Sequence, residues 1–250
     1  MARTVEDCAR LMGIVAGADP EDPSTADEPV PDYVGQLANA SVKGLRIGVP
    51  TSYFYDDVVP SVHAALGTSL DFYRSQGAEI VAVQVPDMDP YAAVWPTLCS
   101  AEAVFAHEAT YPSRRDDYGP WFRGWLDKGA GITGAEYAKA NAMRAECVGH
   151  LRRVFEGIDV LACPSMSAPP HPVTPEILYG PLPEGRAPKF QRFTAPFDFS
   201  GAPTLSVPCG LNGEGLPLSL QFVGRDLSEA LLCQVGYAYE QTRESIHPQV

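Results

Sequence analysis

Apolar positions along this chain change their spacing several times, and each change marks an element. Val5, Cys8, Ala9, Leu11, Met12 and Val15 recur at helical spacing. Thr4 stands where a hydroxyl caps the free amides of a first turn, Asp7 adds negative charge there, and Gly17 supplies a stop. From Asp19 to Pro31 the period disappears into acidic and proline-rich sequence, DPEDPSTADEPVP, which predicts an exposed loop. Leu45–Val49 then reads as a strand closed by Pro50. A helix is predicted from Pro60 to about Gln76 with Val62, Ala65, Leu66, Leu70 and Tyr73 on one face, and a second strand over Glu79–Val83. Strand, helix and strand in that order predict a βαβ unit with parallel strands. It carries no G-x-G-x-x-G, so it is not a dinucleotide-binding unit.

The pattern from Pro90 to Tyr111 is helical, with a kink or restart expected at Pro96, whose missing amide costs a helical hydrogen bond. Tyr118–Trp125 (YGPWFRGW) is dense in aromatics. Gly134–Phe155 predicts a long helix with Tyr137, Ala140, Met143, Cys147, Leu151 and Val154 as its apolar positions. Ile158–Cys163 is a buried-strand candidate. Eight prolines between Pro164 and Pro188 favour extended, irregular backbone. Gly201-Ala-Pro203 opens a further strand, and Asn212-Gly-Glu-Gly215 links it, hairpin-like, to the next. A helix over Ser228–Arg243 follows. Alternation of strands and helices throughout predicts an α/β protein, and no internal repeat appears.

Composition narrows the function. A 45% apolar content over 250 residues fills a sizeable core. The formal charge of −13 leaves no excess cation to displace phosphate counterions, so nucleic acid is excluded as a partner. Six cysteines (Cys8, Cys99, Cys147, Cys163, Cys209, Cys233) sit in apolar runs without a C-x-x-C pair, which argues against a zinc site and against a disulfide framework. Met1 leads directly into a helix with acidic residues rather than a signal peptide. No apolar run approaches the roughly 20 residues of a membrane span. A reduced, cytoplasmic chain with no membrane partner is the expectation.

The run Phe193–Gly224 is the most specific stretch. A Thr-x-Pro-x-Asp element, Gly-Ala-Pro, Ser-Val-Pro-Cys-Gly, Leu-Pro-Leu-x-Leu-Gln-Phe-Val-Gly and an acidic residue opening a helix, Glu229, follow one another. This order resembles the C-terminal part of the amidase signature family, whose members hydrolyse carboxylic amides. Ala2–Asp7 before an Ala/Leu helix, Leu45–Pro50, Tyr137–Arg144 and Ile158–Pro164 match weaker landmarks in the same order, so the resemblance runs over essentially all 250 residues. It implies an α/β fold with a mixed sheet flanked by helices, and one partial domain over 1–250 that lacks the N-terminal catalytic half.

The resemblance also implies a mechanism: a serine nucleophile activated through a second serine and a lysine, with backbone amides stabilising the oxyanion. Lys43, Lys128, Lys139 and Lys189 fall in no matching motif, and the sequence has no Gly-Ser-Ser or Gly-Gly-Ser run. No catalytic residue is therefore carried over, no metal or organic cofactor is implied, and the chain alone is expected to be inactive. Ser100, Ser165, Ser167 and Ser200 lack a G-x-S-x-G elbow. Cys163 with His171 and Cys99 with His107 lie eight apart, a spacing that carries no information about closeness in space. Asp56–Asp57 and Asp116–Asp117 read as solvated pairs.

For substrate contacts, the resemblance points to the segments 120–126 and 190–198. It makes Phe193, Thr194, Phe197, Asp198 and Arg123 the candidates, with core packing the plainer role for the two phenylalanines. Asp198 stands where the family commonly has Asn, and Gln191 where the glutamine-using amidotransferase subunits place an acidic residue. Together with YGPWFRGWLDKG, this favours a small or hydrophobic amide over glutamine. The expected partners are that amide and either an N-terminal complementing half or a second copy in a homodimer. A non-catalytic binding half-domain and a subunit of a split amidase or amidotransferase are the other readings.

Overall fold

The computed structural model describes residues 1–178 and 191–242. They form two compact units. One comprises residues 1–84, 155–169 and the chain from 202 onward, and the other comprises 85–154 and 170–201.

The first unit is built on a five-stranded mixed sheet of order β2-β1-β3-β5-β4. The strands are β1 (Arg46–Pro50), β2 (Glu79–Val83), β3 (Val160–Pro164), β4 (Thr204–Leu211) and β5 (Pro217–Val223). β1 pairs in parallel with β2, Arg46 opposite Glu79 through Pro50 opposite Val83, and in parallel with β3. β5 runs antiparallel to both β3 and β4. The βαβ unit and the C-terminal hairpin expected from the sequence are both present. Every residue of β3 is buried, as befits a central strand.

The turn between β4 and β5 follows from Asn212. Its Oδ1 accepts from the amides of Glu214 at 3.0 Å and Leu216 at 2.8 Å, and Gly215 adopts φ +80°, a region that disfavours a Cβ.

α1 (Val5–Val15) starts as its sequence requires, with Thr4 Oγ1 accepting from the Asp7 amide at 3.0 Å. A second cap comes from far along the chain, where the Glu240 carboxylate accepts from the Val5 amide at 3.0 and 3.2 Å. The apolar stripe of α1 is buried only at Val5 and Ala9. Cys8 and Met12 are half-buried, while Leu11 and Val15 are exposed, so the expected stripe is wider than the face this unit covers.

α2 (Pro60–Ser75) buries Val62, Leu66, Leu70 and Tyr73. Tyr73 packs edge-on to Phe222 of β5 and stacks on Tyr239 of the helix Glu229–Glu240, and its hydroxyl donates to the Val235 carbonyl at 3.0 Å. Gly236 lets that helix approach the sheet: a Cβ there would lie 2.5 Å from Leu205.

The second unit is helical, with α3 (Asp89–Ala106), α4 (Pro120–Ala130), α5 (Gly134–Val154) and the short helix Ala195–Ser200. α3 runs through Pro96 as one helix of 18 residues, without the expected restart. Packing on both flanks explains this. Tyr91, Leu98 and Ser100 of α3 are buried, and burial worth about 1.5–3 kcal/mol per large apolar side chain matches the roughly 3 kcal/mol an internal proline costs. Gly129 of α4 sits against α3, where a Cβ would come 2.0 Å from the Ser100 carbonyl oxygen. α5 buries Ala140, Cys147 and Leu151, in keeping with its sequence stripe.

Candidate functional site

All five candidate substrate residues lie in the helical unit, but in different surroundings. Phe193 and Phe197 are fully buried, in packing positions. The Arg192 guanidinium lies over the Phe193 ring, 4.8 Å from its centroid. Thr194 is the exposed N-cap of Ala195–Ser200, with its hydroxyl 3.5 Å from the Gln191 carbonyl. Asp198, one turn on, is exposed and accepts a hydrogen bond from the indole Nε1–H of Trp95 on α3. Arg123 on α4 pairs with Asp116 at 3.2 Å; the latter is almost wholly exposed.

The structure thus links Asp198 not to Arg123 but to a tryptophan that the sequence did not single out. Trp95 in turn lies 6.2 Å, centroid to centroid, from Trp125 on α4. Trp125 stacks on Trp121 at 5.9 Å with an interplanar angle of 16°, and Lys128 stands 5.7 Å from the Trp125 centroid. The signal for two of the three tryptophans was present, since Trp121 and Trp125 are spaced i, i+4 within an aromatic-rich helix and so share a face. Trp95 had no such signal, because only the packing of α3 brings it near Asp198.

Burial disfavours the nucleophilic thiolate at four of the cysteines. Desolvation pushes the Cys163 thiol up to about 12, against a weaker opposing effect of the Gln221 amide 3.6 Å away. Cys99, Cys147 and Cys233 rise to about 11, again chiefly through burial. At neutral pH these groups are thiols, the unreactive form. His107 Nδ1 bonds to Tyr118 Oη at 3.0 Å and His150 Nδ1 to Tyr91 Oη at 2.8 Å, so both rings are held in aromatic packing.

Ser165 donates to Ser206 at 3.1 Å near the end of β3, but among the described residues no lysine or histidine contacts either hydroxyl. An alcohol without a base is a poor nucleophile. Lys189 and His247 lie outside the described residues. Asp56 accepts from the Tyr53 amide at 2.8 Å, while Asp116 and Asp117 pair with Arg123 and Arg114, so neither acidic pair forms a general acid/base couple. No group of three or more His, Cys, Asp or Glu side chains able to hold a metal occurs among the described residues.

A mixed sheet with parallel βαβ entry and an antiparallel C-terminal hairpin, joined in sequence to a helical unit, defines an α/β scaffold. Residues 1–233 match the Amidase family, and the chain belongs to that family. It is 34% identical to an amidase of Pseudomonas putida, over all of this chain and 54% of that protein. It is 33% identical to a glutamyl-tRNA(Gln) amidotransferase subunit of Chloroflexus aggregans, over 98% of this chain and 54% of the other.

Among solved structures, 6-aminohexanoate cyclic dimer hydrolase superposes with a TM-score of 0.82 at 24% identity, covering 99% of this chain and 55% of that one, which shows the shared fold. A structure described as a vestigial protein complex that reveals the origins of an s-triazine catabolic enzyme gives a TM-score of 0.79 at 25% identity, covering 98% and 53%. The chain spans about half the length of the curated relatives it matches. Among the described residues, no helix is long and apolar enough to cross a membrane.

Proposed function

We propose that this chain supplies the C-terminal half of an amidase that hydrolyses a carboxylic amide to an acid and an amine or ammonia. The observation that carries the proposal is the family match over residues 1–233, with relatives at 33–34% identity that extend to about twice this length. Consistent with a half, Ser165 and Ser206 bond to each other and the Cys163 thiol is held protonated by burial. In this reading the nucleophilic serine, its serine partner and the lysine come from sequence outside these 250 residues, and the 250 form one partial catalytic domain with its two compact units.

Phe193, Thr194, Phe197, Asp198 and Arg123 shape the substrate side. The exposed Asp198 and Thr194 are the groups that meet the amide, and the two buried phenylalanines set the backbone that presents them. The reaction as proposed needs no metal or organic cofactor, and the place of action is the cytoplasm.

The partner is an N-terminal family half. A second reading, that the chain acts within an amidotransferase-like assembly, draws on relatives named as amidotransferase subunits and on the complex noted above.

Mixing tests the first reading. The purified chain is combined with a family N-terminal half and assayed for ammonia release from aliphatic and aromatic amides. Turnover in the mixture and none by the chain alone is expected. Turnover by the chain alone would overturn the assignment of the nucleophile to the other half.

A further inference from the structure

The chain contains three tryptophans, and all three meet in one cluster of the helical unit. Trp121 and Trp125, one turn apart on α4, lie nearly parallel, and Trp121 keeps 51% of its surface exposed. Trp95 lies against Trp125, 6.2 Å between ring centroids, and its indole N–H donates to the Asp198 carboxylate. Among the described residues no other donor reaches that carboxylate, so Oδ1 remains an open acceptor on the one exposed residue of an otherwise largely buried helix.

An indole half in water is a large apolar surface left uncovered, and one already stacked on a neighbour is held in orientation. A further planar ring can add to the stack with little rotamer entropy to lose. An ionised carboxylate held beside such rings accepts an N–H strongly. The two features ask for one neutral molecule that carries an aromatic ring and an N–H. An acid is disfavoured by Asp198 itself and by the net charge of −13.

We propose that Trp121 and Trp125 form a stacking shelf for the aromatic ring of an aromatic amide, with Asp198 Oδ1 accepting an N–H of the same molecule. This deepens the amide-hydrolase reading and rests on it for the word substrate. The binding claim stands on the cluster alone.

Because these are all the tryptophans of the chain, intrinsic indole emission reports on this place and no other. Benzamide and acetanilide are titrated into the chain, with isobutyramide as the aliphatic control. The expected result is a saturable change with the two aromatic amides and none with isobutyramide. Trp121→Ala should weaken binding by roughly three- to tenfold, the loss of one stacking face, and Trp121→Phe should restore most of it. Trp121 is exposed, so circular dichroism should be unchanged in both variants.

An emission change that does not saturate, an equal response to isobutyramide, or unchanged affinity in Trp121→Ala would each overturn the shelf. So would emission that responds only to an added N-terminal half, which would make the cluster an interface with that half. The two readings fail separately. A mixture that hydrolyses amides while indole emission shows no saturable response to the aromatic ones removes the shelf and leaves the hydrolase. A mixture that turns over no amide removes the hydrolase, whatever the emission shows.

Discussion

Asp159 accepts from the Arg46 backbone amide at 2.8 Å and from its guanidinium at 3.1 Å, joining the start of β1 to the start of β3. The Arg46 side chain, through its hydrogen bond and its charge, holds the Asp159 carboxyl below the usual carboxylate range. A carboxyl that titrates lower in the folded state than in the unfolded chain stabilises the fold fully above about pH 4, and that stabilisation fades as the pH falls through the lower folded value. Asp159→Asn should therefore cost about 1 kcal/mol at neutral pH, a modest value for a half-exposed pair, and flatten the acid limb of a stability–pH curve. Urea titrations from pH 3 to 7 would show it, and parallel curves for the two proteins would refute it.

Tyr55 gives the opposite case. Its hydroxyl is buried with no hydrogen-bond partner among the described residues, and burial drives its pKa well above the ordinary phenol value. Tyr55→Phe loses no bond and removes a desolvation cost, so thermal unfolding of the isolated chain should shift upward by the equivalent of about 1 kcal/mol. A fall in Tm would mean that the hydroxyl has a partner.

At the level of elements, two glycines of α4 should respond in opposite directions. At Gly124 a Cβ would meet nothing within 4 Å, so Gly124→Ala should stabilise by about 0.5–1 kcal/mol through helix propensity. At Gly129 the same gain meets the Ser100 carbonyl at 2.0 Å, and Gly129→Ala should cost about 1–3 kcal/mol as α3 and α4 are forced apart. Denaturant midpoints of the two variants make the comparison, and a shared sign would refute it.

The elements were also what the sequence showed most plainly. The period-2 and period-3.6 patterns placed β1, α2, β2, α5 and β3, the Asn212 turn announced the hairpin, and Thr4 announced the start of α1. Of the two outcomes expected at Pro96, a kink or a restart, the restart does not occur, because neighbours that no local pattern shows offset the local cost. Leu11 and Val15 misled because periodicity gives a stripe its direction but not its covered width. Of the candidate site, Asp198 was visible through its motif. Its bond to Trp95 spans 103 residues of sequence and depends on packing that no local pattern encodes.

For the molecule as a whole, the chain leaves the sheet unit after β2, returns for β3, leaves again, and returns for β4. The helical unit is thus two excursions from one sheet rather than a segment that could be cut away. β2 and β4 form the two edges of that sheet, and β4 presents the exposed residues Thr204, Ser206 and Pro208. Exposed Leu11, Ile14 and Val15 add an uncovered apolar face on α1. Open strand edges and apolar faces favour association. The isolated chain should sediment as a dimer or larger species and shift to a defined heterodimer when a family N-terminal half is added. A monodisperse monomer indifferent to that addition would count against the complementing half.

The buried thiols carry a further consequence. Cys147, Cys163, Cys209 and Cys233 are enclosed, while Cys8 and Cys99 are half-open to water. A brief pulse of an alkylating reagent should mark at most two sites on a folded chain and six on an unfolded one. The mass of the product then records, molecule by molecule, how much of any preparation was folded at the instant of the pulse. It needs neither a substrate nor an activity to do so.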